Sequence, residues 1–174
     1  MKKQILLIGF IALFISSCAT LQSIVKSTLP YTATIIVPAN QSTGKNYSAT
    51  SSASSFDQIF TGTNSNTDQI SQVRISSAKI ESVNPSNQKL GVFKSIKVYL
   101  LDGSKEVMVA SRNDIATTVG NSLVLDIDNS QFLDSYLKSG TLRVRVDYVL
   151  QNNLSVDLSM KASLGFNASP TSTN

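Results

Sequence analysis

Histidine and tryptophan are absent from this chain of 174 residues, and there is a single cysteine. Without an imidazole, no Ser-His-Asp or Cys-His machinery can be assembled, and Cys/His zinc sites are excluded with it. One cysteine cannot support an intramolecular disulfide framework. The missing tryptophan argues against the usual stacking face for sugars, for which Tyr99 and Tyr148 would be the remaining aromatics. Charge is also scarce, at 15% against 41% hydrophobic residues, so this is not a highly charged disordered chain. The length suits one domain of ordinary size.

What is present begins at the N-terminus. Lys2 and Lys3 precede an apolar run, Ile5–Ile15, which ends in Ser16-Ser17-Cys18-Ala19. Eleven helical residues at about 1.5 Å each cannot span a hydrocarbon core of about 30 Å. A positive start, a short apolar middle and small residues at the end are the anatomy of a secretory signal. Ile15-Ser16-Ser17-Cys18 resembles the lipobox of bacterial lipoproteins, an aliphatic residue and two small ones before a cysteine. That resemblance implies that the Cys18 thiol receives a diacylglycerol, that residues 1–17 are removed, and that the new amine is acylated. Two or three chains would anchor the protein firmly, since each buried CH₂ contributes about 0.8 kcal/mol.

Ala19 and Thr20 follow Cys18, where an inner-membrane retention signal would place Asp. Residues 19–46 hold no acid, so the short acidic export signals of surface lipoproteins are missing too. The expected location is the outer membrane, facing the periplasm. Loss of Lys2 and Lys3 lowers the formal charge from +4 to +2. Half of the apparent basicity therefore belongs to the signal.

Beyond a tether at 18–30, the dominant pattern has period two. In residues 154–166, Leu154, Val156, Leu158, Met160, Ala162, Leu164 and Phe166 alternate with mostly polar residues, and Leu142, Val144, Val146, Tyr148 and Leu150 do the same. With Gln151-Asn152-Asn153 between them, the two runs read as one long hairpin pairing Leu150 with Leu154. Further strands are expected at 31–37, 47–53 (an edge), 72–83 (with a bulge near Ser77), 94–101, 106–110 and 122–128. Asp102-Gly103 marks a tight turn between two of them. Phe132, Leu133, Tyr136 and Leu137 fit a short helix, capped by Asn129 and ended by Gly140. Residues 40–71 are rich in Ser, Thr, Asn and Gln and read as long loops, with a helical turn at Asp68-Gln69-Ile70. The expected fold is an all-β antiparallel sandwich of about eight strands with one short helix, over residues 31–168, with a disordered tail at 169–174.

Few residues suggest chemistry. Eleven carboxylates are present, but none forms a pair marked out for acid–base work. Asp126, Asp128, Ser130 and Asp134 have the spacing of a calcium loop, yet Gln131 and Leu137 stand where its glycine and bidentate glutamate belong. They are weak metal candidates. Arg143, Arg145 and Lys161 read as a small basic patch on the outer face of the last hairpin, too sparse for nucleic acid.

Phe93–Leu100 followed by Val107–Ala110 is similar to small uncharacterised bacterial lipoproteins expected to be β-sandwiches, a likeness covering about residues 68–166. It implies fold and location and carries no catalytic signature. The sequence thus reads as a non-enzymatic binding or structural module of the cell envelope. Its expected partners are the membrane, through the lipid on Cys18, and another envelope protein. No other cofactor is expected. A carrier of a small apolar ligand between the sheets is the alternative, and a hydrolase using carboxylates alone the third.

Overall fold

The computed structural model describes residues 27–53, 70–138 and 142–171. Among the described residues, nine strands form two antiparallel sheets. They are β1 (Ser27–Val37), β2 (Asn46–Thr50), β3 (Ile70–Asn84), β4 (Phe93–Asp102), β5 (Lys105–Arg112), β6 (Ser122–Val124), β7 (Asp126–Ile127), β8 (Arg143–Leu150) and β9 (Leu158–Pro170). One sheet has the order β1-β9-β3-β6 and the other β2-β8-β4-β5-β7. Each packs its apolar face on the other, so the alternating residues of both close into a single core. Ile35, Val73, Ile80, Phe93, Ile96, Val146, Leu158 and Phe166 are all fully buried. Tyr148 also faces this core, as its place in the alternation requires. Its ring meets Phe93 edge-on at 5.6 Å and stacks on Tyr47 at 5.9 Å, while its hydroxyl donates to Gln41 Oε1 at 2.8 Å. Burial pushes its pKa up.

The β-sandwich is as the sequence reads, but the last two long strands are not partners. β8 pairs with β2 and β4, whereas β9 pairs with β1 and β3. The turn at 151–153 therefore crosses between sheets. Alternation fixes which residues point inward; it does not say which neighbour supplies the hydrogen bonds, and two facing sheets satisfy the same inward pattern. Leu154 is buried, but Val156 is 49% exposed and the strand starts only at Leu158. A hairpin pairing Leu150 with Leu154 would set Asp147 opposite Asp157 and Arg143 opposite Lys161, and neither opposition occurs. Asp157 instead accepts a hydrogen bond from the Ala39 amide at 2.8 Å.

A second correction lies at 122–128. Leu125 breaks this run: Leu123 pairs with Ile80 in one sheet, and Ile127 with Ala110 in the other. The Leu125 amide donates to the Ala78 carbonyl at 3.0 Å as the chain crosses. That break turns eight expected strands into nine.

The other strands agree more closely. β2 is an edge, as expected, and ends at Thr50. The bulge near Ser77 is present, between Ile75 and Ser77. Gly103 closes the β4–β5 turn with φ of 56°, a left-handed conformation that suits glycine. β1 already begins at Ser27 and β9 runs to Pro170, so the sandwich takes in the end of the expected tether and the start of the expected tail. Ile70 opens β3, and the other two residues of its expected helical turn, Asp68 and Gln69, lie outside the described residues.

The helix, α1, covers only Asp134–Leu137. Its cap position is Leu133, not Asn129, and Gly140 lies outside the described residues. Leu133 and Leu137 are buried against the core while Phe132 is exposed. A bulge in β3 seats this segment. Between Ser71 and Arg74 the β3–β9 register shifts, with Gln72 at φ 54°. The freed Val73 amide donates to Asp134 Oδ2 at 3.1 Å, and the Val73 carbonyl accepts from the Leu133 amide at 2.8 Å.

Candidate functional site

The structure separates the residues of the expected basic patch. Arg143 and Arg145 are on β8 and Lys161 is on β9, so they lie on different sheets. Lys161 belongs to a charge row on the four-stranded sheet. There Glu81 accepts from Lys79 at 2.8 Å and contacts Lys161 at 3.1 Å. These two ammonium groups hold the Glu81 carboxyl below its usual range.

Arg145 has a different setting, on the outer face of the five-stranded sheet. It stands opposite Tyr99 on β4, with its guanidinium 4.4 Å from the ring centre. The same guanidinium donates to Glu106 Oε2 from β5 and contacts Asp147 Oδ1 at 3.0 Å. Asp147 in turn accepts from Ser48 Oγ of β2 at 2.6 Å. Four adjacent strands thus contribute to one row, Ser48–Asp147–Arg145–Tyr99–Glu106. Beside it is an open depression of about 210 Å³ whose lining includes Ser48, Ser95, Lys97, Tyr99 and Asp147. This surface offers the Tyr99 ring, hydroxyls and the Lys97 ammonium, which has no ion-pair partner among the described residues. It can grip a polar or charged partner by stacking and hydrogen bonds.

The calcium-like spacing does not gather its oxygens. Asp126 faces Arg112 at 3.4 Å, Asp128 Oδ1 accepts from the Ser130 amide at 3.1 Å, and Asp134 caps Val73 as described. The Ser130 bonds lower the Asp128 pKa. Among the described residues no group of three or more acids or cysteines is arranged to hold a metal.

A second depression, of about 420 Å³, lies at the end of the sandwich beside the bulge in β3. Its lining includes Gln72, Arg74, Asn129, Phe132, Asn167 and Ser169. Arg74 lies 3.9 Å above the Phe132 ring and donates to the Asn129 carbonyl. Neither depression was read from the sequence. Arg145, Tyr99 and Glu106 do fall on outward positions of their strands, but only the strand order brings them together. Cys18 and its lipobox lie outside the described residues. No helix among the described residues is long and apolar enough to cross a membrane.

No protein-family model and no curated protein matches the chain. Among solved structures, the chain is similar to tomato aspermy virus at TM-score 0.32 and 10% identity, covering 99% of this chain and 98% of the other. It is similar to the mud crab tombus-like virus at TM-score 0.29 and 9% identity, over 94% and 99% of the two chains. A likeness to FLHE has TM-score 0.27 and 10% identity, over 82% and 98%. At these scores the likenesses carry no argument.

Proposed function

We propose that this protein is a lipid-anchored binding module of the bacterial cell envelope, held by Cys18 at the outer membrane and facing the periplasm. The observation that carries the reading is the order of parts along the chain. A short apolar run ends in Ile15-Ser16-Ser17-Cys18, and a rigid sandwich begins at Ser27. Thioether-linked lipid on Cys18 would fix the domain to a leaflet without crossing it.

The outer face of the five-stranded sheet is the binding surface in this reading, and its partner is another envelope protein. Tyr99, backed by Arg145, supplies an aromatic anchor of the kind that recurs at interface centres, and Lys97 supplies a rim charge. The arrangement supports recognition. Two measurements test it. Cys18→Ser should move the protein from the membrane to the soluble fraction, and a protein still in the membrane fraction would refute the anchor. A photo-crosslinker at Lys97 should capture a discrete envelope protein that the same probe at Thr34, on the opposite sheet, does not. Equal yields from both positions would refute the choice of face.

A further inference from the structure

The register of the four-stranded sheet fixes which end of the sandwich is tied to the tether. Ser27 pairs with Ala168, Ile70 with Pro170, and Arg74 with Asn167. The first residue of β1 and the Arg74–Phe132 pair therefore lie at the same end. Nine residue steps separate Ser27 from Cys18, and an extended chain of that length reaches about 30 Å at most. A flexible one averages roughly 15–18 Å. A domain of this size has a radius of gyration of about 14 Å, so the tether cannot carry it far from its anchor.

We infer that this end of the sandwich rests on the phospholipid surface, with the Phe132 ring in the interfacial layer and the Arg74 guanidinium against a lipid phosphate. The inference rests on the lipid-anchor reading above and names the second contact with the same membrane. Phe132 is 52% exposed although it follows the chain into a buried pair of leucines, so its ring is turned outward. The segment is held rigidly, because Leu133 and Asp134 on its far side bond to Val73. Arg74 has no carboxylate partner among the described residues, and the depression named above contains no acid. Gln72, Asn129, Asn167 and Ser169 line the same depression as Arg74, and amides and hydroxyls are groups that can bond to a headgroup. An exposed ring backed by a cation that has no carboxylate partner among the described residues, and by neutral polar groups, matches the layered chemistry of a bilayer surface, apolar beneath phosphate.

The chain has no tryptophan, so Phe132→Trp creates a sole indole reporter at this end. Ile36→Trp does so at the far end of β1, at a residue 59% exposed. Each lipidated full-length variant is reconstituted into vesicles of phosphatidylethanolamine and phosphatidylglycerol, with and without lipids brominated in the upper acyl chain. Emission from the indole at 132 should move to shorter wavelength and be quenched by bromine, while emission from the indole at 36 should be unaffected. Adding Arg74→Glu to Phe132→Trp should remove most of the quenching. Protein that floats with the vesicles but shows water-exposed, unquenched emission from 132 would overturn the proposal and leave the anchor standing. A short-wavelength emission insensitive to bromine would mean that protein covers the ring, through residues 19–26 or another chain, and would also overturn it. Protein that does not float with the vesicles would remove the anchor and the proposal together.

Discussion

Arg145 and Tyr99 stand opposite one another on neighbouring strands, and the guanidinium covers the ring at 4.4 Å. The arginine is also the centre of two ion pairs, with Glu106 and Asp147, and its side chain is only 22% exposed. Three strands are thereby tied on a face that has no apolar core to hold it.

Lysine at this position keeps the charge but loses the planar fork that stacks and donates in two directions. Arg145→Lys should cost about 1 kcal/mol in urea unfolding, the sum of a cation–π contact and a partly buried pair. Arg143→Lys, on the same strand but exposed, should change stability by less than about 0.5 kcal/mol. Equal effects would show that the row contributes nothing specific.

Gln151 fastens the opposite end of the sandwich. Its Nε2 lies 2.8 Å from the Gly91 carbonyl, 2.9 Å from that of Phe93 and 2.8 Å from that of Ile115, so two N–H groups serve three acceptors. Gln151→Ala leaves these carbonyls without their donor and should cost about 1–3 kcal/mol. Gln151→Glu should be worse, because it faces a carboxylate towards three carbonyl oxygens. Denaturant midpoints of the two variants test this order.

Two glycines should differ in the cost of a methyl group. A Cβ on Gly91 would strike the backbone carbonyl of Thr117, and a Cβ on Gly165 would strike the Ser77 hydroxyl, a side-chain atom. The backbone at 115–120 is tied beside Gly91 by hydrogen bonds of the Leu90, Gly91 and Ile115 amides and cannot easily turn away, whereas a serine rotamer can. Gly91→Ala should therefore cost about 1–3 kcal/mol. Gly165→Ala should cost less, and adding Ser77→Ala should restore most of that loss. Thermal or urea unfolding of the three variants settles the comparison.

Glu81 gives a pH dependence with a definite sign. Its carboxyl is held below the ordinary value of 4.5 by hydrogen bonds from Lys79 and Lys161. A lowered pKa stabilises the fold at pH above the ordinary value, and that contribution is lost as pH falls through the folded pKa. The carboxyl is solvent-accessible, so the effect on stability should be small. The direct readout is carboxyl NMR: Glu81 should titrate below 4.5, and Lys161→Met should move it back up. An unchanged midpoint in Lys161→Met would show that the pair does not exist in solution.

Alternation made the core legible in advance. Ile96, Val98 and Leu100, or Leu142 through Leu150, could be placed inward because a strand buries every second side chain. Pairing was not legible in the same way. Leu150 and Leu154 both face the core, and a hairpin and a crossing between sheets bury them equally well. The break at Leu125 was hidden for the same reason, since Leu123 and Leu125 are buried although the chain changes sheets between Val124 and Asp126. The candidate surfaces depend on this strand order. Arg145 meets Glu106 only because β4 lies between β8 and β5, and Arg74 meets Phe132 only because a bulge in β3 binds the segment before α1. By contrast the proposed lipidation of Cys18 is read from local sequence alone, because a lipobox is a short stretch whose recognition needs no tertiary arrangement.

The proposed anchor depends on the chemistry of that cysteine, and the mass of the protein extracted from the membranes of cells that express it tests it most directly. The predicted chain begins at Cys18, has lost residues 1–17, and carries a diacylglyceryl group on the thiol, with or without a further acyl chain on the amine. A chain that retains residues 1–17, or one with an unmodified Cys18 thiol, would contradict it.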